Sequence, residues 1–187
     1  MGYGLFHIRM GIFASALLWL STANATTVPG LSFEELTDQS DLIVSGQINR
    51  SWTDWDSEHK YIWTHYALTV SSALKGIAGA TVDVSEPGGV VGNQGMNIAG
   101  APAYQTGEQV LVFLHRMPNG FLRTTGWTQG KYTVDRAGLL HAAGSSIGLD
   151  VVGSAAGRIR SLEGMNVAQV RGLVAARIRT QPQGRAQ

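Results

Sequence analysis

Ser146 stands in Gly144-Ser145-Ser146-Ile147-Gly148, the G-x-S-x-G spacing that presents a serine nucleophile on a strand-to-helix elbow. The elbow chemistry needs an acid and a histidine later in the chain, but His141 is the last histidine. No helical pattern follows Gly148, so the segment reads as a Ser/Gly turn. The hydrolase left open is one built from Ser146, His141 and an acid such as Asp135 or Asp150.

Metal chemistry fares no better. Asp54, Asp56 and Glu58 alternate as a calcium loop begins, yet His59 and His65 occupy the positions where the loop wants glycine and a bidentate glutamate. His59 and His65 are not in an H-E-x-x-H on a helix, so a zinc protease site is unsupported. His115 and His141 each stand alone beside strand residues, the usual setting of a structural histidine. The chain has no cysteine, which removes disulfides, thiolate metal sites and a cysteine nucleophile. No metal and no cofactor is expected.

Binding residues are easier to find. Trp52 and Trp55 fall in the polar stretch 51–60, read as a loop, where neither periodicity nor a turn requires an indole. Such tryptophans stack on ligands or anchor interfaces, or fold back to cap the end of a barrel. The glycine-dense stretch 86–102, Glu-Pro-Gly-Gly-Val-Val-Gly-Asn-Gln-Gly-Met-Asn-Ile-Ala-Gly-Ala-Pro, lacks G-K-[ST] and does not lead into a helix, so it is no phosphate loop. Its glycines free the backbone, and a connection this long tends to be functional. Gly88, Gly89, Asn93, Gln94 and Asn97, with Tyr104 just beyond, join Trp52 and Trp55 as candidate binding residues.

The elements that position these residues read mainly as strands. Ser32 and Glu35 form a capping box for a short helix, with Leu31 and Leu36 as its hydrophobic staple. Alternation predicts strands over 41–49 and, most clearly, from Tyr61, where Ile62, Thr64, Tyr66, Leu68 and Val70 share one face and Trp63, His65 and Ala67 the other. A strand with Val82 and Val84 on one face follows. The run Gly107–Arg116 is apolar on both faces, as in a central strand covered on both sides. Pro118-Asn119-Gly120 predicts a hairpin turn into Phe121–Trp127, and two short strands follow. Trp63 and Trp127 are assigned to strands and to the core. Val167, Val170, Val174 and Ile178 make one stripe of an amphipathic terminal helix.

The ends of the chain have a different character. His7 and Arg9 precede the apolar run 10–20, and Ala23-Asn24-Ala25 follows, the pattern of a secretory signal peptide cleaved after Ala25. The run is short for a membrane span, so no stable anchor is expected after cleavage. The expected organisation is a signal peptide over 1–25, a β-barrel domain over 26–150, a helical extension over 151–180 and a disordered tail over 181–187. Net charge is +1, which argues against nucleic acid as a partner. Charge is uneven, because six arginines and one glutamate lie beyond residue 150, most simply as a solvated helix face.

Five segments resemble a set seen together in uncharacterised exported bacterial proteins. They are S-D-x-I-V-x-G (40–46, with Leu42-Ile43-Val44 here), L-K-G (74–76), P-G-G (87–89), G-x-P-x-Y-x-x-G-E-x-V-L-x-F-L (100–114) and Q-G-K-Y (129–132). Their order is also similar to the netrin/TIMP-type OB-fold, where a strand ends in Lys-Gly and a later apolar strand closes the barrel. The resemblance implies a small, mainly β, OB-like barrel with a short N-terminal helix and a C-terminal amphipathic helix. Inhibitors of the TIMP type chelate a protease zinc through an N-terminal cysteine, and that mechanism cannot carry over to a cysteine-free chain. The expected function is a non-catalytic exported binding module, periplasmic or secreted. Its expected partner is another exported protein, with a secreted metalloprotease as the partner that analogy implies and protease inhibition as the alternative function.

Overall fold

A computed structural model describes residues 26–143, 149–152 and 161–180. Residues 1–25, expected as a signal peptide, residues 144–148 with Ser146, expected as a turn, and residues 181–187, expected as a disordered tail, lie outside the described residues. Among the described residues the chain is mainly β, with a large sheet and two α-helices. No helix among them is long and apolar enough to cross a membrane.

The short strand β1 (Thr26–Pro29) pairs in parallel with β11 (Leu149–Val152). Helix α1 (Phe33–Gln39) begins where the capping box places it: the Glu35 N–H donates to Ser32 Oγ at 3.2 Å, and Glu35 Oε2 accepts from the Ser32 N–H at 2.7 Å. Strands β2 (Leu42–Trp55), β3 (Ile62–Lys75) and β4 (Thr81–Pro87) form an antiparallel meander. After them come a small hairpin of β5 (Gly89–Val91) and β6 (Gln94–Met96), and then β7 (Gln109–Arg116). Strands β8 (Leu122–Thr124), β9 (Lys131–Val134) and β10 (Leu140–Ala142) follow. The sheet order is β10-β9-β7-β2-β3-β4-β8. Strand β8 also pairs antiparallel with β7, and its link to β4 is a parallel pairing at Val84 and Leu122.

Two cores use opposite faces of the same strands. One holds Leu42, Val44 and Ile48 of β2 with Tyr66, Leu68, Val84, Val112 and Leu114. The other lies under the helices, where Ile43, Leu111, Phe113, Tyr132 and Leu140 meet Phe33 and Leu36 of α1 and Val170 and Val174 of α2 (Val167–Thr180). Strand β7 is apolar at every position from Val110 to Leu114 because both of its faces are covered. Deleting the fully buried Phe113 ring would cost about 3–5 kcal/mol.

Several expectations are corrected. Residues 51–55 are not loop but the outer half of β2, continuing its ladder with β3 through Trp52↔His65 and Trp55↔Ile62. Ladder pairing with β3 holds this polar segment in a strand although it buries no residue in either core. The glycine stretch is not an irregular crossover throughout: it contains the β5–β6 hairpin, folded back over β2 and β3. Trp127 is neither on a strand nor fully buried; it opens a 3-10 turn at φ 59° after Gly126. Of the terminal arginines, Arg171 binds Ser72 Oγ and the Ala73 carbonyl and Arg177 pairs with Asp38, so these two clamp α2 rather than face solvent alone.

Candidate functional site

Strand alternation puts every second side chain of β2, β3 and β4 on the same face, and register lines them up in rows. On the face away from the β5–β6 hairpin, Trp52, His65 and Ser85 form one row across three strands. Asp54, Trp63 and Pro87 form the next row on one side, and Arg50, Ala67 and Asp83 the next on the other. Phe121, delivered by the tight turn that closes with the Met117 N–H donating to the Phe121 carbonyl at 2.7 Å, comes down against this face. Between them lies a groove of about 360 Å³, walled by Trp52, His65, Asp83, Arg116 and Phe121.

The groove is built from ring and guanidinium contacts. Trp52 stacks on His65 with centroids 5.2 Å apart, and the Arg50 guanidinium lies 4.7 Å from the Trp52 centroid. Phe121 meets both His65 and Trp63 edge-on, at 5.2 and 5.1 Å. Arg123 continues the series, 5.9 Å from the Trp63 ring and 5.0 Å from Trp127. A chain of four aromatic residues, one histidine and two arginines therefore crosses the outer face of the sheet. The Trp63 Nε1–H is buried without a hydrogen-bond partner. His65 Nδ1 lies 2.8 Å from Ser85 Oγ. Burial pushes the His65 pKa down, against the opposing pull of Asp54 and Asp83, and favours a neutral imidazole.

The other face of the same strands carries the row Thr53, Thr64 and Glu86. The β5–β6 hairpin is tied to it: Thr64 Oγ1 donates to the Gly88 carbonyl at 2.6 Å and Thr53 Oγ1 to the Val90 carbonyl at 2.5 Å. Gly89, at φ 135°, approaches so closely that a Cβ there would lie 2.6 Å from Thr64 Oγ1 and 2.8 Å from Thr53 Cγ2. Under the hairpin base is a cavity of about 160 Å³. Glu86 lines it, only 1% exposed. Its Oε1 accepts from the Thr124 N–H at 2.7 Å, and its Oε2 lies 3.3 Å from an Arg123 Nη. Burial raises the Glu86 carboxyl to about pH 7, and Arg123 offsets only part of that.

The expected binding residues are thus divided. Trp52 belongs to the groove. Trp55 points to the opposite face, where it stacks on His59 at 6.3 Å. Gly88 and Gly89 anchor the hairpin, Asn93 and Gln94 are exposed at its tip, and Asn97 lines the cavity beneath it. Tyr104 is buried: its Oη meets Thr124 Oγ1 at 2.5 Å, and the Lys131 Nζ lies 4.5 Å from its ring centroid. Lys131 in turn pairs with Glu108 at 2.8 Å. Residues of the G-x-P-x-Y-x-x-G-E and Q-G-K-Y segments therefore hold one another.

Sequence reasoning missed His65, Phe121, Arg50 and Glu86. Their signals were present: His65 shares a strand face with Trp63, and Glu86 continues the inward alternation of Val82 and Val84. His141, the base that a Ser146 hydrolase would use, has Nε2 3.0 Å from Asp135 and Nδ1 2.8 Å from Glu163, so both ring nitrogens are engaged. Among the described residues, no group of three potential metal ligands is placed to hold an ion. Compared with protein-family models and with curated proteins, the chain matches none.

Proposed function

We propose that the protein is an exported, non-catalytic binding module of OB type that docks another exported protein through the outer face of β2, β3 and β8. The barrel reading is supported by the circuit of pairings β2-β3-β4-β8-β7-β2, in which a three-stranded meander is followed by a parallel and two antiparallel contacts. The netrin-like resemblance of the strand ending in Lys75-Gly76 and of the later apolar strand over 107–113 points the same way.

The observation that carries the docking reading is the aromatic–guanidinium chain from Arg50 through Trp52, His65, Phe121 and Trp63 to Arg123. Neither of the two cores contains Trp52, His65 or Phe121, so the packing of the fold does not account for this cluster of rings. Tryptophan, tyrosine and arginine are the residues that dominate interface energetics, and charge of both signs at Asp83 and Arg116 suits a polar rim. Engagement of both His141 nitrogens favours binding over hydrolysis.

The test is a pull-down from the exported fraction with wild type, Trp52→Ala and Trp55→Ala. Loss of a stoichiometric partner with Trp52→Ala and its retention with Trp55→Ala supports the assignment. Equal retention by both removes the groove as the docking site. Labelling of the wild type by a fluorophosphonate probe would replace the reading with a hydrolase.

A further inference from the structure

The cavity beneath the β5–β6 hairpin is separate from the docking groove, on the opposite face of β3. We infer that it is a binding site for a primary ammonium group on a short alkyl chain, with the Glu86 carboxylate as its counter-charge and the glycine hairpin as its cover.

The chemistry follows from what lines the space. Among the described lining residues, Glu86 is the sole acid or base other than Tyr66, whose hydroxyl is held neutral by burial. Among the described residues, no lysine, arginine or histidine lines the cavity. The Thr124 N–H uses one acceptor position of Oε1, and a carboxylate oxygen has two. Thr64 Oγ1 gives its proton to the Gly88 carbonyl and so turns only acceptor capacity outward. The Asn97 amide and the Tyr66 hydroxyl are the side-chain donors among the lining residues, while the charge there is the Glu86 carboxylate; –NH3+, with three donors and no acceptor, is the group that this carboxylate and the outward lone pairs of Thr64 Oγ1 select. Pro87, Met96, Ile98, Ala101 and Pro102 supply apolar walls for the attached carbons. An anion would meet Glu86 with no free cation beside it, since Arg123 is shared among Glu86, Trp63 and Trp127.

The charged groups around Glu86 are Arg123 from β8, with Tyr66 from β3 and Tyr104 from the segment before β7; Glu108 and the Lys131 of β9 lie beyond Tyr104. An alkylammonium keeps its charge over the neutral range, so affinity tracks ionisation of Glu86. With the carboxyl titrating near pH 7, binding should strengthen roughly 30-fold between pH 5.5 and pH 8.

The experiment is a titration of the purified chain with n-propylamine, 1-propanol and Nα-acetyl-lysine amide, read by backbone amide shifts of Gly88, Gly89 and Thr124. Saturable shifts with propylammonium, stronger at pH 8 and absent with propanol, are expected. Binding of the lysine amide as well assigns the site to a lysine side chain of a macromolecule; binding of propylammonium alone assigns it to a free small amine. Glu86→Gln should abolish the response while keeping the fold by circular dichroism. Should that variant not fold, Ala101→Leu fills the cavity without touching the carboxyl and should abolish it equally. Equal shifts with propanol, unchanged binding in either folded variant, or no saturable shift with either amine overturns the proposal. None of these results bears on the groove, and loss of docking by Trp52→Ala does not bear on the cavity.

Discussion

Trp52 and His65 are register partners across β2 and β3, and their rings stack at 5.2 Å with 24° between the planes. The pair faces solvent on a sheet whose inner side already holds a core. Truncating Trp52 to alanine removes a half-buried cross-strand pair and should cost about 1 kcal/mol of stability. Docking should fall at least tenfold by surface plasmon resonance against the isolated partner. Trp55→Ala, on the opposite face, should leave docking within twofold. Urea denaturation separates the two effects.

Gly89 is held where side chains do not fit. Alanine there would combine a φ of 135° with contacts under 3 Å to Thr64 and Thr53, so it should cost about 2 kcal/mol and free the hairpin from the sheet. Hydrogen exchange of the Gly88 N–H, which donates to the Ile62 carbonyl at 2.8 Å, should accelerate. Gly95→Ala, where a Cβ would meet nothing closer than Val90 Cγ2 at 3.7 Å, should leave that exchange unchanged.

Glu86 gives stability a pH signature. Its folded pKa, about 7, lies above the ordinary glutamate value because burial opposes ionisation. A group raised in the folded state contributes fully below its unfolded pKa, and the contribution is lost as pH rises through the folded value. Stability should therefore decline between about pH 4.5 and 7, by on the order of 3 kcal/mol. Glu86→Gln should flatten that segment of a denaturant-midpoint profile; an unchanged slope would mean that the carboxyl is ionised throughout.

His141 acts in a later window. Hydrogen bonds donated by its ring to Asp135 and then Glu163 raise its pKa above the usual 6.5, and they tie the β9–β10 turn to the segment before α2. The stabilisation is complete below 6.5 and lost as pH rises through the folded value. His141→Ala should shrink the decline in melting temperature that the wild type shows on going from pH 6 to pH 9, leaving the part below about pH 7 that belongs to Glu86.

Much of the scaffold was legible because local chemistry agreed with the tertiary fold. The Ser32/Glu35 box, the two-faced Val110–Leu114 run, the Pro118-Asn119-Gly120 turn and the Val170/Val174 stripe each carry their own signal. The outer half of β2 was not legible, since Ser51–Trp55 alternates between solvent and a hairpin instead of between solvent and core. Without β3 beside it, that pattern is indistinguishable from a loop. The same cause split the candidate site. Two tryptophans three residues apart look like one aromatic patch in a loop, but in a strand an odd spacing sends them to opposite faces. Glu86 went unnoticed because a buried carboxylate is recognised by its partners, Thr124 and Arg123, which lie far along the chain.

The docking claim is tested most directly by photo-crosslinking in the producing cells. A photoreactive phenylalanine analogue replaces Phe121 or Arg116 in the groove, or Ala175 on α2 as a control. One discrete adduct is expected from both groove positions, lost when Trp52→Ala is added, and no such adduct from position 175. An adduct from position 175 that survives Trp52→Ala, with none from 116 or 121, would contradict the docking claim.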